Sequence, residues 1–438
     1  MLHWLAPFAC LLSLLAQDPG KAPATQAPPT KAAAAEVPPA DAASPVGKGG
    51  PVRFRSFPVP DAPPLDVAEA TTAAIAAILQ LQEGDGPEQW PYEGVYREDR
   101  GELPVGYRVG GTAITCLGLL AAPGFAQDAA RQQAVRRGLD FVLRTLEHPR
   151  LQVDFLGTYD VRGWGHIYAL ELLLQLQERE LVPAPLTETV AKRTQWLVQA
   201  LVESAIPERG GWNYSRPAGY LSPKNPASTF MTAPALLALF RARQHGIEVD
   251  ELVVEQALGA LDRARALPGG YAYGAPATSQ HEVDEPQLPY MNKTPSSAAR
   301  ATACEATLLL AGRGDPARLE RAVDRFFADW DELARRKSQT GTHVRPYGIA
   351  PYYFLYGHLY CALAIELLTD QAKQVALRQR LRAVLAKSRD ADGSWNDRQF
   401  GRSAGYGTAV ALLVMHMPQQ PAPATWRPAA AVAPDATR

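Results

Sequence analysis

The sequence predicts an all-α protein, an α/α toroid in which six inner and six outer helices alternate along the chain. First, apolar residues recur at helical spacing from Asp66 onward, with almost no alternation typical of strands. Second, amphipathic segments alternate with segments that are apolar nearly all round. Third, the stretch 163–174 (GWGHIYALELLL) returns as 356–368 (YGHLYCALAIELL), which indicates that a unit has been copied.

The amphipathic segments are predicted to form the outer layer. Val135, Leu139, Val142 and Leu146 follow the spacing i, i+4, i+7, i+11, which gives a helix one apolar stripe and one charged face. Outer helices are predicted at 66–83, 128–147, 186–206, 250–267, 315–336 and 371–388.

The segments that are apolar all round are predicted to form the inner layer, around a central cavity. Inner helices are predicted at 110–122, 164–179, 227–244, 297–312, 352–368 and 403–417. Short turns leave these segments, whereas long loops rich in Gly, Pro, Trp and Tyr lead into them. We therefore expect all six long loops to meet at one rim, around the mouth of the cavity.

The two ends of the chain differ from the body between them. Residues 1–16 include an apolar run of signal-peptide length, and 17–65 form a Pro/Ala-rich stretch that we expect to be a disordered linker. The toroid is predicted to cover 66–417, and 418–438 a disordered tail. The sequence thus predicts an exported protein, periplasmic or extracellular.

Charge and cysteine content narrow the classes of partner. The net charge of -1, with mixed signs throughout, offers no basic face for nucleic acid. Cys116, Cys304 and Cys361 lie in apolar helical stretches, where we expect buried free thiols rather than disulfides. No Gly-rich phosphate loop, zinc-finger spacing or Ser-His-Asp elbow is present, and no cofactor is predicted.

Four long loops share a Gly-aromatic signature directly after an outer helix. The segments are 84–94, 210–214, 269–273 and 390–397. Together with the preceding helix they resemble the repeat of squalene/hopene cyclases and of protein prenyltransferase β-subunits. The resemblance covers 66–417 and implies the terpenoid cyclase and protein prenyltransferase superfamily, with an α/α toroid and a cavity for an isoprenoid.

The motifs that carry activity in those families are incomplete here. The cyclase acid, Asp-x-Asp-Asp, has no match, since the nearest strings are Glu282-Val-Asp-Glu and Asp390-Ala-Asp-Gly. The segment from Tyr356 to Cys361 resembles the His-bearing part of the prenyltransferase zinc site, but no Asp-x-Cys partner lies upstream. A zinc site needs three converging ligands, so no metal is predicted.

His166 and His358 each follow Gly at the start of an inner helix and are expected to face the mouth. They belong to the second and fifth units, so a sixfold ring places them on opposite walls, too far apart to share a metal. A structural role, bonding the long loop, and a role in acid-base catalysis both remain open. The candidate catalytic residues are His166, His358, Asp160, Tyr168 and Tyr360.

The aromatic residues of the long loops are candidates for ligand binding, since their rings could hold an apolar chain, stabilise a carbocation or stack on sugars. Alternatively they pack the loops onto helix ends. Six inner-helix N-termini at one rim would also favour an anion, with Arg402 nearby. The candidate ligand-binding residues are Trp90, Tyr92, Trp164, Trp212, Tyr214, Tyr271, Tyr353, Trp395, Tyr406 and Arg402.

The leading functional hypothesis is that the central cavity, entered from the long-loop rim, binds an apolar or isoprenoid-like small molecule. One alternative is a non-catalytic binding or scaffold toroid. A second is a carbohydrate-active toroid, either glycosidase or lyase, in which carboxylates such as Asp160 and Asp397 act as acid and base. Membrane association remains open, although no transmembrane helix is predicted in the mature chain.

Overall fold

The computed structural model describes residues 64–98, 101–155, 161–213, 226–267, 269–279, 281–283 and 285–428. The predicted signal peptide, the linker up to residue 63, Asp160 and Tyr214 lie outside these residues. The described part belongs to one compact unit and confirms the predicted all-α toroid. Within it the one sheet is a small antiparallel pair, β1 (Arg265–Ala266) with β2 (Gly270–Tyr271).

Inner and outer helices alternate along the chain as predicted. The outer layer consists of α1 (Val67–Gln80), α3 (Ala129–Thr145), α5 (Thr187–Ser204), α7 (Glu251–Ala264), α9 (Pro316–Ala328) with α10 (Trp330–Ala334), and α12 (Gln371–Lys387). The inner layer consists of α2 (Val105–Ala121), α4 (Arg162–Glu178), α6 (Thr229–Gln244), α8 (Thr294–Leu310), α11 (Tyr353–Glu366) and α13 (Ala404–Met415). Each inner helix contacts the next, and α13 contacts α2, which closes the ring.

The two layers begin their helices differently. Asp66, Asp128, Asp250, Asp315 and Asp370 precede five outer helices, and each carboxylate accepts a hydrogen bond from a backbone amide of the first turn. The six inner helices have no such side-chain cap. The first amide of α2, at Val105, donates instead to the Glu98 carboxylate from the preceding loop. The inner helices thus lack the N-cap aspartate that offsets the partial positive charge of the outer-helix N-termini.

Helix α2 begins at Val105, earlier than predicted. Glycines near its start weaken the helical pattern in the sequence, but they are needed there for packing. A Cβ atom at Gly110 would lie 2.3 Å from the Trp164 ring, and one at Gly106 would lie 2.3 Å from the Val161 carbonyl oxygen. Only glycine lets α2 and α4 approach this closely.

The fifth outer helix, predicted as one segment over 315–336, is divided at Asp329 into α9 and α10. The break places the Trp330 indole nitrogen 3.0 Å from Nε2 of His358 on α11. The break between α9 and α10 is thus accompanied by a contact between the outer and inner layers, and helical periodicity alone does not predict it.

The end of the chain also differs from the predicted disordered tail. Residues 418–428 cross the short-turn face of the ring, and Trp426 is buried there. Its ring stacks on Phe240 of α6 at 5.6 Å, and its backbone amide donates to the carbonyl of Leu310. We call residues 417–426 the C-terminal strap.

Candidate functional site

Two tyrosines close the axis of the ring. Tyr168 on α4 and Tyr360 on α11 meet with their hydroxyl oxygens 3.3 Å apart. The sequence placed these helices on opposite walls of an open cavity, but the large side chains of both span the space between them. The interior that the structure describes is therefore divided into two cavities, one at each end of the axis.

The mouth cavity lies at the long-loop end and has a volume of about 70 Å³. Its walls are mostly aromatic, with one arginine and one histidine. The lining residues are Tyr92, Tyr96, Tyr107, Val161, Trp164, Phe230, Tyr273, Thr342, His343, Tyr352, Tyr356, Arg398 and Tyr406. Three predicted ligand-binding residues, Tyr92, Trp164 and Tyr406, are thus brought together here.

The apolar cavity lies at the short-turn end, beneath the C-terminal strap, and has a volume of about 140 Å³. Leucine, isoleucine and proline side chains form most of its wall, and Tyr168 and Tyr360 form part of it. Glu171, Gln175, Arg241 and Gln420 also border it. This apolar space therefore lies at the end of the axis opposite the long-loop rim, where the sequence predicted the ligand cavity to open.

His166 and His358 do not face the mouth as expected. Both are fully buried. His166 donates from Nε2 to the carbonyl of Leu151 in the loop before α4, and its ring packs against Trp196 of α5. His358 donates from Nδ1 to Phe354 and accepts at Nε2 from Trp330. These contacts are those of the structural alternative, in which histidine joins an inner helix to a loop or an outer helix.

Burial lowers the pKa of His358 to about 4, against the smaller opposing effect of its hydrogen bond to Phe354. The ring is therefore neutral near pH 7, with both nitrogens already engaged. An imidazole with no free lone pair is not available as a base for a ligand.

Trp90, Trp212 and Trp395 are buried and lie away from the mouth cavity. Each indole N–H donates to a carbonyl in the last turns of the preceding outer helix, at Ile78, Leu201 and Leu385. Each backbone N–H donates to a threonine hydroxyl of the following inner helix, at Thr112, Thr232 and Thr408. These three side chains tie loop to helix, which is the packing role that the sequence left open.

Three further candidates also point elsewhere. The Tyr271 hydroxyl donates to Glu305 at 2.7 Å, inside a buried ion-pair cluster. Tyr353 is buried behind the mouth, with its hydroxyl 3.3 Å from Nδ1 of His343. Arg402 is half exposed and pairs with Glu83 at 3.0 Å. None of the three lines the mouth cavity.

Arg398 is the cationic group of the mouth cavity. The residue is only 5% exposed, and its Nε donates to the Tyr92 hydroxyl at 2.7 Å. Its guanidinium lies over the rings of Tyr92 and Tyr352, at 5.4 and 5.6 Å from their centroids. The two terminal nitrogens make no hydrogen bond to the described residues, so this buried cation retains donors for a ligand.

Tyr356 and His343 add two more polar groups to the same wall. The Tyr356 hydroxyl is buried and has no hydrogen-bond partner among the described residues. His343 has Nδ1 2.9 Å from the carbonyl oxygen of Gly348, which can only accept, so Nδ1 carries the proton and Nε2 holds a lone pair. Burial lowers the pKa of His343 below its ordinary value, against the hydrogen bond to Gly348 and with a smaller contribution from the Arg300 charge.

Asp397, beside Arg398, is fully buried, and neither carboxylate oxygen makes a hydrogen bond to another described residue. Burial raises its pKa to about 7, although the charges of Arg398 and Lys337 oppose the shift. The charge of Asp397 in turn adds to burial in raising the pKa of Tyr406, which lines the mouth cavity. A carboxyl group near the mouth therefore keeps its proton up to about neutral pH.

The sequence analysis named Asp397 with Asp160 as a candidate acid-base pair, but it did not name His343. A lone histidine in the loop between α10 and α11 carries no spacing signal, and only the fold brings it to the wall shared with Arg398. Asp160 and Tyr214 lie outside the described residues, so their predicted roles stay predictions. Cys116, Cys304 and Cys361 are buried free thiols, as expected.

In the part of the chain that the structure describes, no three or more His, Cys, Asp or Glu side chains are grouped so that they could hold a metal ion. Among the same residues, no helix combines the length and hydrophobicity needed to cross a bilayer.

The sequence matches no protein-family model and no curated protein. Solved structures are similar in fold. An inactive variant of the α-1,6-mannanase of Salegentibacter sp. HEL1_6, bound to α-1,6-mannotetrose, aligns with a TM-score of 0.52 at 8% identity, covering 81% of this chain and 99% of that one. The unsaturated glucuronyl hydrolase of Streptococcus agalactiae aligns with a TM-score of 0.50 at 13% identity, covering 85% and 98%.

The chain has the α/α-toroid fold. A type II terpene cyclase from Scytonema also aligns, with a TM-score of 0.47 at 15% identity, covering 80% of this chain and 97% of that one. At such identities the alignments establish the fold alone. They do not confirm membership of the terpenoid cyclase group within the toroids, and the evidence for activity has to come from the site itself.

Proposed function

We propose that this toroid is a carbohydrate-active protein whose mouth cavity holds the carboxylate of an acidic sugar. The observation that carries the proposal is Arg398, a buried guanidinium in an aromatic wall whose two terminal nitrogens make no hydrogen bond to the described residues. Adjacent N–H groups of a guanidinium match the two oxygens of a carboxylate. The uncapped N-termini of the inner helices favour the same charge.

The remaining walls suit the rest of a sugar unit. The faces of rings such as Tyr92 and Trp164 offer flat apolar surfaces for the C–H face of a pyranose, and the unpartnered Tyr356 hydroxyl can donate to a sugar oxygen. The cavity, at about 70 Å³, takes the acidic edge of one unit, while the remainder of the saccharide extends outward past the long loops.

His343 lines the mouth cavity and has a lone pair at Nε2, so it can act as a base. With Arg398 on the same wall, this arrangement supports β-elimination in an acidic polysaccharide. His343 removes the C5 proton beside the carboxylate held by Arg398, the C4=C5 double bond forms, the C4–O bond breaks, and the leaving oxygen takes a proton from water.

Hydrolysis would instead need two carboxyl groups around the scissile bond. Among the described residues no carboxylate lines the mouth cavity itself, and Asp397 is the one next to Arg398. Asp160 remains the sequence-based candidate for a second, because it directly precedes Val161 of the cavity wall. Export, which the N-terminal sequence predicts, would bring either activity to extracellular polymers.

An apolar or isoprenoid-like ligand is the second candidate for the mouth. Trp164 and Phe230 would suit it. Such a ligand would leave the donors of Arg398 and Tyr356 buried without partners, which is unfavourable. We therefore prefer an acidic sugar.

The test is incubation of the full chain with polygalacturonate, alginate and hyaluronan, with neutral α-1,6-mannan as the uncharged control. Ultraviolet absorbance reports the C4=C5 product, and a reducing-end assay reports any cleavage. We expect an unsaturated product from at least one acidic polymer and none from mannan.

Arg398→Gln should raise KM at least tenfold, because it removes the charge that holds the carboxylate. Arg402→Gln, a rim arginine outside the cavity, is the matched control and should leave KM unchanged. Reducing ends without ultraviolet absorbance would replace elimination by hydrolysis. Failure to cleave any acidic polymer would favour the scaffold alternative.

A further inference from the structure

We propose that the apolar cavity is a second binding site, which takes a small neutral molecule with an apolar body and one hydrogen-bond acceptor. It lies at the opposite end of the axis from the mouth cavity, and the two share no lining residue. The inference therefore stands apart from the proposed function of the mouth.

The size and walls of the cavity define the apolar body of the ligand. Side chains such as Ile114, Leu117, Leu237 and Leu413 line a space of about 140 Å³. An engineered protein cavity of about 150 Å³ with similar walls accommodates benzene. A six-membered carbocycle fits this volume, whereas a long isoprenoid chain would have to displace the wall.

The acceptor is inferred from the two tyrosines at the inner end of the cavity. Tyr168 and Tyr360 are buried, and their hydroxyls make one hydrogen bond, which is to each other. Each hydroxyl has one proton, so the shared bond uses one proton and leaves the other without an acceptor among the described residues. A buried donor in this condition is satisfied by an acceptor atom of a bound molecule.

The other polar groups around the cavity are already engaged, which is why the ligand should be neutral. Arg241 pairs with Glu171 at 3.0 Å and with Glu178 at 2.8 Å. The Gln175 amide donates to Glu171, and the Gln420 oxygen accepts from Arg179. Charges that are already paired leave no site for a charged ligand, and the phenol proton is the buried donor that would select a neutral one.

The C-terminal strap forms one wall of this cavity. Met417, Pro421, Pro423 and Ala424 belong to that wall, and Trp426 anchors the end of the strap on Phe240. The strap has no regular structure beyond one short 3-10 turn at Met417–Gln419. This wall is thus held by side-chain anchors rather than by helix packing.

The experiment compares cyclohexanone with methylenecyclohexane, in which a CH₂ group replaces the carbonyl oxygen at nearly the same shape. Saturation-transfer NMR titrations of the full chain give both dissociation constants. In the double variant Tyr168→Phe/Tyr360→Phe, cyclohexanone should bind about fivefold more weakly, the usual net contribution of one hydrogen bond. Methylenecyclohexane should bind the two proteins equally.

Two further variants fix the location. Each single variant, Tyr168→Phe or Tyr360→Phe, still has one phenol proton without an acceptor, so both should retain cyclohexanone binding. Leu237→Trp should abolish binding of both probes by filling the cavity, whereas Arg398→Gln should not affect it. Equal cyclohexanone affinity in the double variant, binding that survives Leu237→Trp, or no binding of either probe to the native chain would overturn the proposal.

Discussion

Replacing Asp397 by asparagine should stabilise the protein, and the gain should depend on pH. The carboxyl is fully buried and has no hydrogen-bond partner among the described residues, and burial raises its pKa from the ordinary 3.8 to about 7. The folded chain therefore holds this proton more tightly than the unfolded chain does. Between pH 4 and pH 7 the unfolded carboxyl ionises first, so the native protein loses stability as the pH rises through that window.

The size of the effect follows from the same two values. One pH unit of pKa difference corresponds to about 1.4 kcal/mol, so the buried carboxyl costs about 4 kcal/mol once the pH exceeds 7. Asparagine has nearly the same shape and cannot ionise. The difference in unfolding free energy between Asp397→Asn and the native chain should therefore be near zero at pH 4 and grow to about 4 kcal/mol at pH 8.

The assay is urea unfolding followed by circular dichroism at pH 4 to 8. Asp392→Asn on the same loop is the matched control, because the hydrogen bond from the Ser394 hydroxyl lowers the pKa of Asp392. Removing that carboxylate should reduce stability at neutral pH, the opposite sign. A constant Asp397→Asn difference across the pH range would refute the reasoning.

Two further predictions concern helix packing. Burial lowers the pKa of His358 to about 4, so the unfolding free energy of the native chain should fall by about 3 kcal/mol relative to that of His358→Gln as the pH falls from 6.5 to 4. Urea titrations of both proteins over this pH range measure the difference. A difference that does not change with pH would contradict the prediction. Gly110→Ala should reduce the unfolding free energy by about 1 to 3 kcal/mol, because it forces a methyl group against the Trp164 ring. The control Gly86→Ala, whose methyl group would meet nothing within 4 Å, should change the melting temperature little. Equal melting temperatures of the two variants would contradict the prediction.

Several features of the fold could be predicted because they depend on local pattern. The apolar stripe of α3 and the all-round hydrophobicity of α4 are properties of consecutive residues, and they identify outer and inner helices without tertiary information. The aspartates before the outer helices are equally local, since a carboxylate caps the amides that directly follow it.

The site was harder to predict because its residues are linked only through space. The Gly-His-x-Tyr pattern drew attention to His166 and His358. Both rings nevertheless face outward from the axis of the ring, because their positions lie on the outward side of their helices. The tyrosine two residues later points inward in both units. A motif identifies the copied unit, while the angle around the helix decides which member of it reaches the interior.

By itself the sequence determined the helical class, the alternation of two layers and the end of the ring at which the long loops gather. Hydrophobic periodicity and loop length are properties of consecutive residues, so they need no tertiary information. Only the tertiary structure decided that Tyr168 and Tyr360 close the axis, that the strap borders one cavity, and that His343 and Arg398 line the other. The physical reason is that protonation and free hydrogen-bond donors depend on burial and on partners far away in sequence. Asp397 is one rim carboxylate among several in the sequence, and its raised pKa arises only once the ring has closed around it.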